Sequence, residues 1–242
     1  MMETAFHVVQ EKLLNILRTQ KFKENKLDGE DKLIDILDAS RGTVREVLRT
    51  LVRQGVITKR HGVGNFVHPR ALNMRMRMDE ISDFMELIED GGYQATIIKD
   101  LDCFEYQMPP KSSEEWLEEY LERDLEYYCF TRIFLADQQP AIYTKFFIPK
   151  GLFKAPPLSN VGYLNLLDLV KSHLEQEIDQ TMIWVTSGVA NEKIAEKIGV
   201  RPGTALLVWD EQFCNYKDEI IGYCRTYFNP KIMKVCMLRK SS

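Results

Sequence analysis

The chain of 242 residues contains no apolar run approaching the roughly 20 residues needed to cross a bilayer, and Met1-Met2-Glu3-Thr4 lacks a basic segment leading into an apolar core. A membrane-spanning or exported protein is therefore not expected, and a cytoplasmic one is. Cysteine is scarce. The five present, Cys103, Cys129, Cys214, Cys224 and Cys236, are odd in number and form no CxxC pair, which argues against a disulfide framework or a zinc knuckle and suits buried free thiols. Histidine is scarcer, with four in all, and no serine or cysteine stands in a nucleophile-base spacing. There is no HExxH and no phosphate-binding glycine loop. No metal or cofactor is expected, and enzymes that depend on either find no support. A lyase-like site built from arginine and acidic side chains alone stays open.

No excess of positive charge marks the chain as a whole, with 32 Lys+Arg against 36 Asp+Glu. That balance hides a division. Residues 1–70 hold 13 basic against 9 acidic side chains, leaving 19 against 27 for the remainder. Only the first part is suited to a polyanion, and an acidic remainder discourages lying along DNA.

What the first part does contain is an arginine ladder. Arg41, Arg45, Arg49 and Arg53 recur at i, i+4 beside an apolar stripe of Val44, Val47, Leu48, Leu51 and Val52, with Ser40 as a cap and Gly55 as a stop. One face packs while the other presents guanidinium forks suited to phosphates and guanine edges. A stripe of this kind alone also suits a solvated surface helix. The segment that follows separates the two readings: Val56 to Arg60, a tip of His61-Gly62-Val63-Gly64-Asn65, then Phe66-Val67 read as a small hairpin with a basic tip. Upstream, Phe6, Val9, Leu13, Leu14 and Leu17 give a first amphipathic helix from about Thr4, and Leu33, Ile34 and Leu37 a short second one. Helix-turn-helix followed by hairpin is the winged-helix plan.

Residues 5–68 resemble the DNA-binding domain of the GntR family of bacterial transcription regulators. The match rests on Leu27, Glu30, Leu33, Ser40, Arg41, Thr43, Val44, Arg45, Leu48, Leu51, Gly55, Arg60, Gly62, Gly64, Phe66 and Val67. The resemblance implies that Ser40, Arg41, Thr43, Arg45 and Arg49 meet double-stranded operator DNA from the recognition helix, with His61, Gly62 and Gly64 bringing up the wing. Two departures stand out. The family's proline and serine are Asp28 and Gly29, and its DNA-touching arginine is Asp31, an acid that repels phosphate. Lys32 is the candidate replacement.

The winged-helix domain is expected over residues 1–69 and an extended linker over 70–78, where Arg75 and Arg77 alternate with Met74, Met76 and Met78. A second DNA contact by the two arginines is one reading of that linker. The second domain is expected over 79–242, opening on an amphipathic segment with Ile81, Phe84, Met85 and Leu87 that stops at Gly91-Gly92, then a strand within 94–104. Residues 113–149 and 191–230 each read as helix, strand, turn, strand and Pro-Lys, at a common offset of 81. Two helix-plus-hairpin halves imply a mostly antiparallel sheet with helices against one face, so the second domain is α+β.

Arg132-Ile133-Phe134-Leu135-Ala136-Asp137, Pro140, Phe147-Ile148-Pro149, Ile198-Gly199-Val200, Pro202-Gly203 and Tyr227-Phe228 resemble the UTRA effector-binding domain of the HutC subfamily, over about residues 79–238. The resemblance implies a chorismate lyase-like sheet, a homodimer and a small-molecule pocket whose occupancy alters DNA affinity. Members that sense phosphorylated sugars carry charged or hydroxyl side chains where this chain has Phe134, Thr144, Tyr163 and Gly222, while Arg132 and Tyr227 match. Arg132, Thr144, Tyr163, Arg225 and Tyr227 are the candidate effector residues, and an anionic metabolite, a phosphorylated sugar or sugar acid, the candidate effector. Arg132 could equally pair with an acid on a sheet face, and Trp209, Tyr143, Phe146 and Tyr223 read as core aromatics. The expected function is a metabolite-responsive repressor binding a two-fold operator as a dimer, with an activator of the same family as the alternative.

Overall fold

The computed structural model describes residues 4–80, 83–98, 104–107, 120–122, 124–155 and 166–240. They divide into two compact units, Met1–Ser82 with Val235–Ser242, and Asp83–Lys234.

In the first unit, the Thr4 hydroxyl accepts from the His7 amide at 3.4 Å and opens α1 (Ala5–Thr19). Val9, Leu13 and Leu17, a turn apart, form its buried stripe. Helix α2 (Glu30–Leu37) follows and turns at Asp38, whose φ of 49° lets the Ala39 amide reach back to the Ile34 carbonyl. Helix α3 (Arg41–Arg53) is capped by Ser40 and ends at Gly55, φ 76°, where the Val56 amide donates to the Leu51 carbonyl. Val44, Val47, Leu48 and Leu51 of α3 close the core against α1 and α2. The wing pairs β1 (Ile57–Arg60) with β2 (Gly64–Val67) antiparallel, Ile57 opposite Val67 and Arg60 opposite Gly64. Ile57 and Val67 are buried and anchor the hairpin, while Lys59 and Arg60 toward its tip are exposed.

The expected boundaries change here. Residues 69–72 form a short helix, α4 (Pro69–Leu72), with Ala71 and Leu72 buried, so the first residues of the expected linker, 70–72, are helical rather than extended. Arg77 is buried, donates to the Gln54 carbonyl at 2.8 Å and pairs with Asp79 and Glu80 at 2.5 and 3.1 Å, which removes it from the DNA-contacting candidates. Burial opposes its charge, yet the Asp79 carboxylate more than compensates and holds the guanidinium pKa above its ordinary value. The last residues return to the same place: Arg77 and Cys236 form a parallel bridge, the Met78 amide donates to the Cys236 carbonyl, and Lys240 reaches the Val52 carbonyl at the end of α3. The C-terminal eight residues therefore cluster with the first unit, not with the second domain to which sequence position assigned them.

The second unit is one antiparallel sheet. Helix α5 (Phe84–Asp90), capped by Asp83, precedes β3 (Ala95–Ile98), which falls within the strand expected over 94–104, and β4 (Phe104–Gln107), which begins where that stretch ends. Both pair with β5 (Glu126–Ala136), β3 along Ile133–Ala136 and β4 along Glu126–Cys129. A tight turn with positive φ at Asp137 and Gln138 leads into β6 (Gln139–Pro149). Helix α6 (Leu166–Leu169), prolonged by a wider turn to Leu174, precedes β7 (Gln180–Val189); α7 (Glu192–Ile198) precedes β8 (Ala205–Cys214) and β9 (Ile220–Phe228). The strand order is β3-β5-β6-β9-β8-β7 with β4 also on β5. Hairpins β5–β6 and β8–β9, which stand where the two half-repeats place their strands, meet through β6 and β9. The helix expected from residue 113 lies outside the described residues.

Alternation fixes two faces, and helices cover both of them, not the single face expected, because the apolar side chains of β5, β6 and β8 alternate to both sides of the sheet. On the first, α6 packs Leu169, Val170 and Leu174 against Phe130, Phe146 and Phe213, and Phe84 of α5 meets Phe134, Trp209 and Phe228. On the second, Ile194, Ala195 and Ile198 of α7 cover Ile133, Tyr143 and Val208.

Candidate nucleic-acid interface and effector site

Because Val44, Val47, Leu48 and Leu51 bury one side of α3, Arg41, Arg45 and Arg49 stand exposed on the other. The Ser40 hydroxyl accepts from the Thr43 amide at 3.1 Å and lies 2.9 Å from the Thr43 hydroxyl, fixing the N-terminus that would face phosphate. Acids of α2 hold the first two arginines: Arg41 meets Asp31 at 2.7 Å, and Arg45 meets Glu30 at 2.7 Å, with Lys59 of the wing 3.7 Å from the same carboxylate. The Arg45 hydrogen bond keeps the Glu30 pKa below the ordinary carboxylate value, so this pair forms above that range and is lost only as pH falls through the lowered value. Lys32 is tied to Asp28 at 3.0 Å. Exposed pairs of this kind are worth about 0–1 kcal/mol, so phosphates can exchange for them at modest cost. At the wing tip Gly62 and Gly64 adopt φ of 73° and 130°, which side-chain-bearing residues rarely tolerate, and His61 is exposed.

The second site lies on the first face of the sheet. Register pairs Arg132 with Thr144, Thr144 with Thr226, and Thr226 with Trp209, so four polar side chains from four adjacent strands form one row. All are buried, Arg132 and Trp209 at 3% exposure and both threonines at 0%. Among the described residues, Arg132 Nε, Thr144 Oγ1 and Trp209 Nε1 lack a hydrogen-bond partner, and all three sit in this row. An unsatisfied buried polar group costs about 1–3 kcal/mol, so the clustering of three marks a place made for something else to bond. The Arg132 guanidinium lies 5.2 Å from the Phe146 ring centroid, and burial pushes its pKa down. One row along, Glu211 faces Cys224; burial pushes the Glu211 carboxyl up to about 7 and the Cys224 thiol well above its usual value. Phe84 roofs the other side, 5.8 Å from Trp209.

Comparison with known proteins follows the same division. Residues 7–67 match the bacterial regulatory proteins of the gntR family, and residues 108–234, more than half of the chain, match the UTRA domain. The chain is a UTRA-domain member of the GntR family. It is a transcriptional regulator with a DNA-binding and an effector-binding domain. Among solved structures it is similar to YydK from Bacillus subtilis, a possible transcriptional regulator, at 20% identity over 98% of this chain and 100% of that one, with a TM-score of 0.67. PhnF from Mycobacterium smegmatis is similar at 15% identity over 97% and 100%, TM-score 0.57, and the effector domain of PhnF at 12% over 69% and 100%, TM-score 0.55. At these identities the likeness is one of fold. No curated protein matches the chain.

In this GntR-family regulator the candidate DNA-binding residues Ser40, Arg41, Thr43, Arg45 and Arg49 share one helix and its exposed side, and His61, Gly62 and Gly64 the wing tip. Of the candidate effector residues, Arg132 and Thr144 adjoin. Arg225 and Tyr227 do not join them, because both stand one position out of step with Thr226 and project from the opposite face. There Arg225 is gripped by Asp210 in two bonds of 2.5 and 2.6 Å, and Tyr227 stacks on Tyr143 at 6.0 Å. Tyr163 lies outside the described residues. Trp209 and Thr226 are row members that sequence reasoning missed; only cross-strand register brings them beside Arg132.

Proposed function

We propose that the protein is a HutC-type repressor that binds a two-fold operator as a homodimer in the cytoplasm and releases it when an anionic small molecule occupies the Arg132–Thr144–Thr226–Trp209 row. The observation that carries the effector reading is the set of three buried, unpartnered polar atoms in that row, one of them on a guanidinium. An anion offers acceptors to Arg132 and Trp209, and a ligand hydroxyl or carboxyl completes Thr144. Phosphorylated sugars and sugar acids have this chemistry. Effector binding shifts the dimer toward a geometry in which the recognition helices no longer match half-site spacing.

The site is read as binding rather than catalytic. Its nearest thiol, Cys224, is kept protonated by burial and is a poor nucleophile, and no histidine stands in the row. Thermal-shift screening of the full chain against phosphorylated sugars, sugar acids and amino acids tests the reading, since a bound ligand raises stability by mass action. The expected result is a hit that is lost in Arg132→Ala and that releases operator in a gel shift. Stabilisation without release, stabilisation that persists in Arg132→Ala, or turnover of the hit, would overturn the proposal.

A further inference from the structure

The polar row offers donors and no acid. Arg132 and Trp209 can only give hydrogen bonds, and the threonine hydroxyls can do either. An acid comes from the next row of the same face. Glu211 stands two positions from Trp209 on β8, and its cross-strand neighbour Cys224 two positions from Thr226 on β9, so both project from the face that carries Arg132. Glu211 is only 8% exposed. What acts on its charge is burial, the Cys224 thiol that bonds to it and the like charge of Asp210; among the described residues no cation joins them. Helix α6 brings Leu169, Val170 and Leu174 to the cluster that contains Cys224. Arg132 and Glu211 are thus a buried cation and a buried acid that do not meet. Both act on Cys224 and neither acts on the other, which sets the thiol between them, while Asp83, the other acid that acts on Arg132, is engaged by the Met85 amide.

We propose that the effector is a zwitterion, an anion that also carries a protonated amine, with its acidic group on Arg132 and its amine on Glu211. The proposal rests on the effector reading above and narrows the ligand class. Separate buried charges cost free energy unless each is paired. An anion alone pairs Arg132 but leaves the acid worse placed, because a second negative charge nearby disfavours the carboxylate. A zwitterion brings each buried charge its opposite. The spacing restricts the class further. In the order β5-β6-β9-β8 the two residues stand three strand spacings apart, about 14 Å between backbones before their side chains reach inward. Acid and amine must therefore be separated by several bonds, as in an aminated sugar phosphate, an aminated sugar acid or an ω-amino acid, and unlike the adjoining charges of an α-amino acid.

The test is calorimetry of the full chain, wild type and Glu211→Gln, with pairs of probes that differ only by an amine in place of a hydroxyl: glucosamine phosphate and glucose phosphate, glucosaminate and gluconate, γ-aminobutyrate and γ-hydroxybutyrate. In at least one pair the amine is expected to bind wild type about tenfold or more tighter than its partner, a preference that falls below about threefold in Glu211→Gln with unchanged circular dichroism. A second readout needs no variant. Burial pushes the Glu211 carboxyl up to about 7, so near that pH about half of the sites hold a proton, which is given up when an ammonium pairs with the carboxylate. Amine binding should therefore release about half a proton more than hydroxyl binding, measured in buffers of different ionisation enthalpy. Hydroxyl probes that bind as well as their amine partners, equal proton release, a preference that survives Glu211→Gln, or no binding by any probe would overturn the zwitterion and leave the anionic reading to its own screen. An amine preference that persists undiminished in Arg132→Ala would overturn both.

Discussion

Asp31 stands where the family places a DNA-touching arginine, and the structure shows its consequence: it engages Arg41 at 2.7 Å. Phosphate must displace this acid and also approach its charge. Asp31→Asn is therefore expected to tighten operator binding by about threefold to tenfold at low salt, with the gain shrinking as salt rises. A gel-shift series in salt checks it; unchanged affinity would mean that Arg41 never reaches DNA. Arg45→Ala is expected to cost about 1–3 kcal/mol of operator affinity with dimerisation intact, whereas Arg53→Ala, at the far end of α3, should cost less. Glu211 gives a second prediction. Its folded pKa of about 7 lies above the ordinary 4.5, so the folded state binds the extra proton. That stability is fully present below the ordinary value and is lost as pH rises through about 7, by about 3 kcal/mol in all. Glu211→Gln should flatten the fall in melting temperature between pH 5 and 8; a slope identical to wild type would show that another group causes it.

Helix α3 was legible as an element because a helix writes its buried stripe into one short stretch of sequence, and Ser40 and Gly55 mark its ends. The strands were legible as strands but their facing was not. Arg225 and Thr226 are neighbours in sequence and lie on opposite faces, and which of them faces Arg132 depends on a register set by hairpins dozens of residues away. The C-terminal segment was assigned to the wrong unit for a related reason: a parallel bridge between Arg77 and Cys236 joins residues that no local pattern connects. A Cβ on Gly55 would lie 2.1 Å from Leu238, so the end of α3 is shaped to receive this tail. Arg77→Ala leaves Asp79 and Glu80 without their partner, at a cost on the order of 3 kcal/mol. Hydrogen exchange should show faster exchange at Gln54–Val56 and 235–240 with β5 and β6 unchanged. Uniform change across the chain would refute the local role.

At the scale of the whole molecule, the chain crosses between its units twice, after residue 82 and again after residue 234. Strand β9, which carries Thr226 of the polar row, thus leads within a few residues into the tail that docks at the end of α3. Arg132→Ala should abolish effector-induced release while leaving effector-free operator affinity within about threefold, giving a super-repressor. Linkage adds a stricter requirement. Operator must weaken effector binding by the same factor by which effector weakens operator binding, and calorimetry with and without operator measures this; equal effector affinities in the two states would rule out release as the mechanism.

Composition and local period alone determined the two-domain α+β plan, the basic first part, the recognition helix with its arginines, the glycine-tipped wing and the paired hairpins. Each is written within a window of a few turns or strands, where helical spacing, alternation and turn residues act. Tertiary structure alone decided that Asp31 and Glu30 restrain Arg41 and Arg45, that Arg77 is buried, that Arg225 serves Asp210, and that Trp209 stands in a row with Arg132 and Thr144. These depend on strand register and on contacts between distant segments, and a one-residue shift in either would leave every local pattern intact while turning the polar row to the other face.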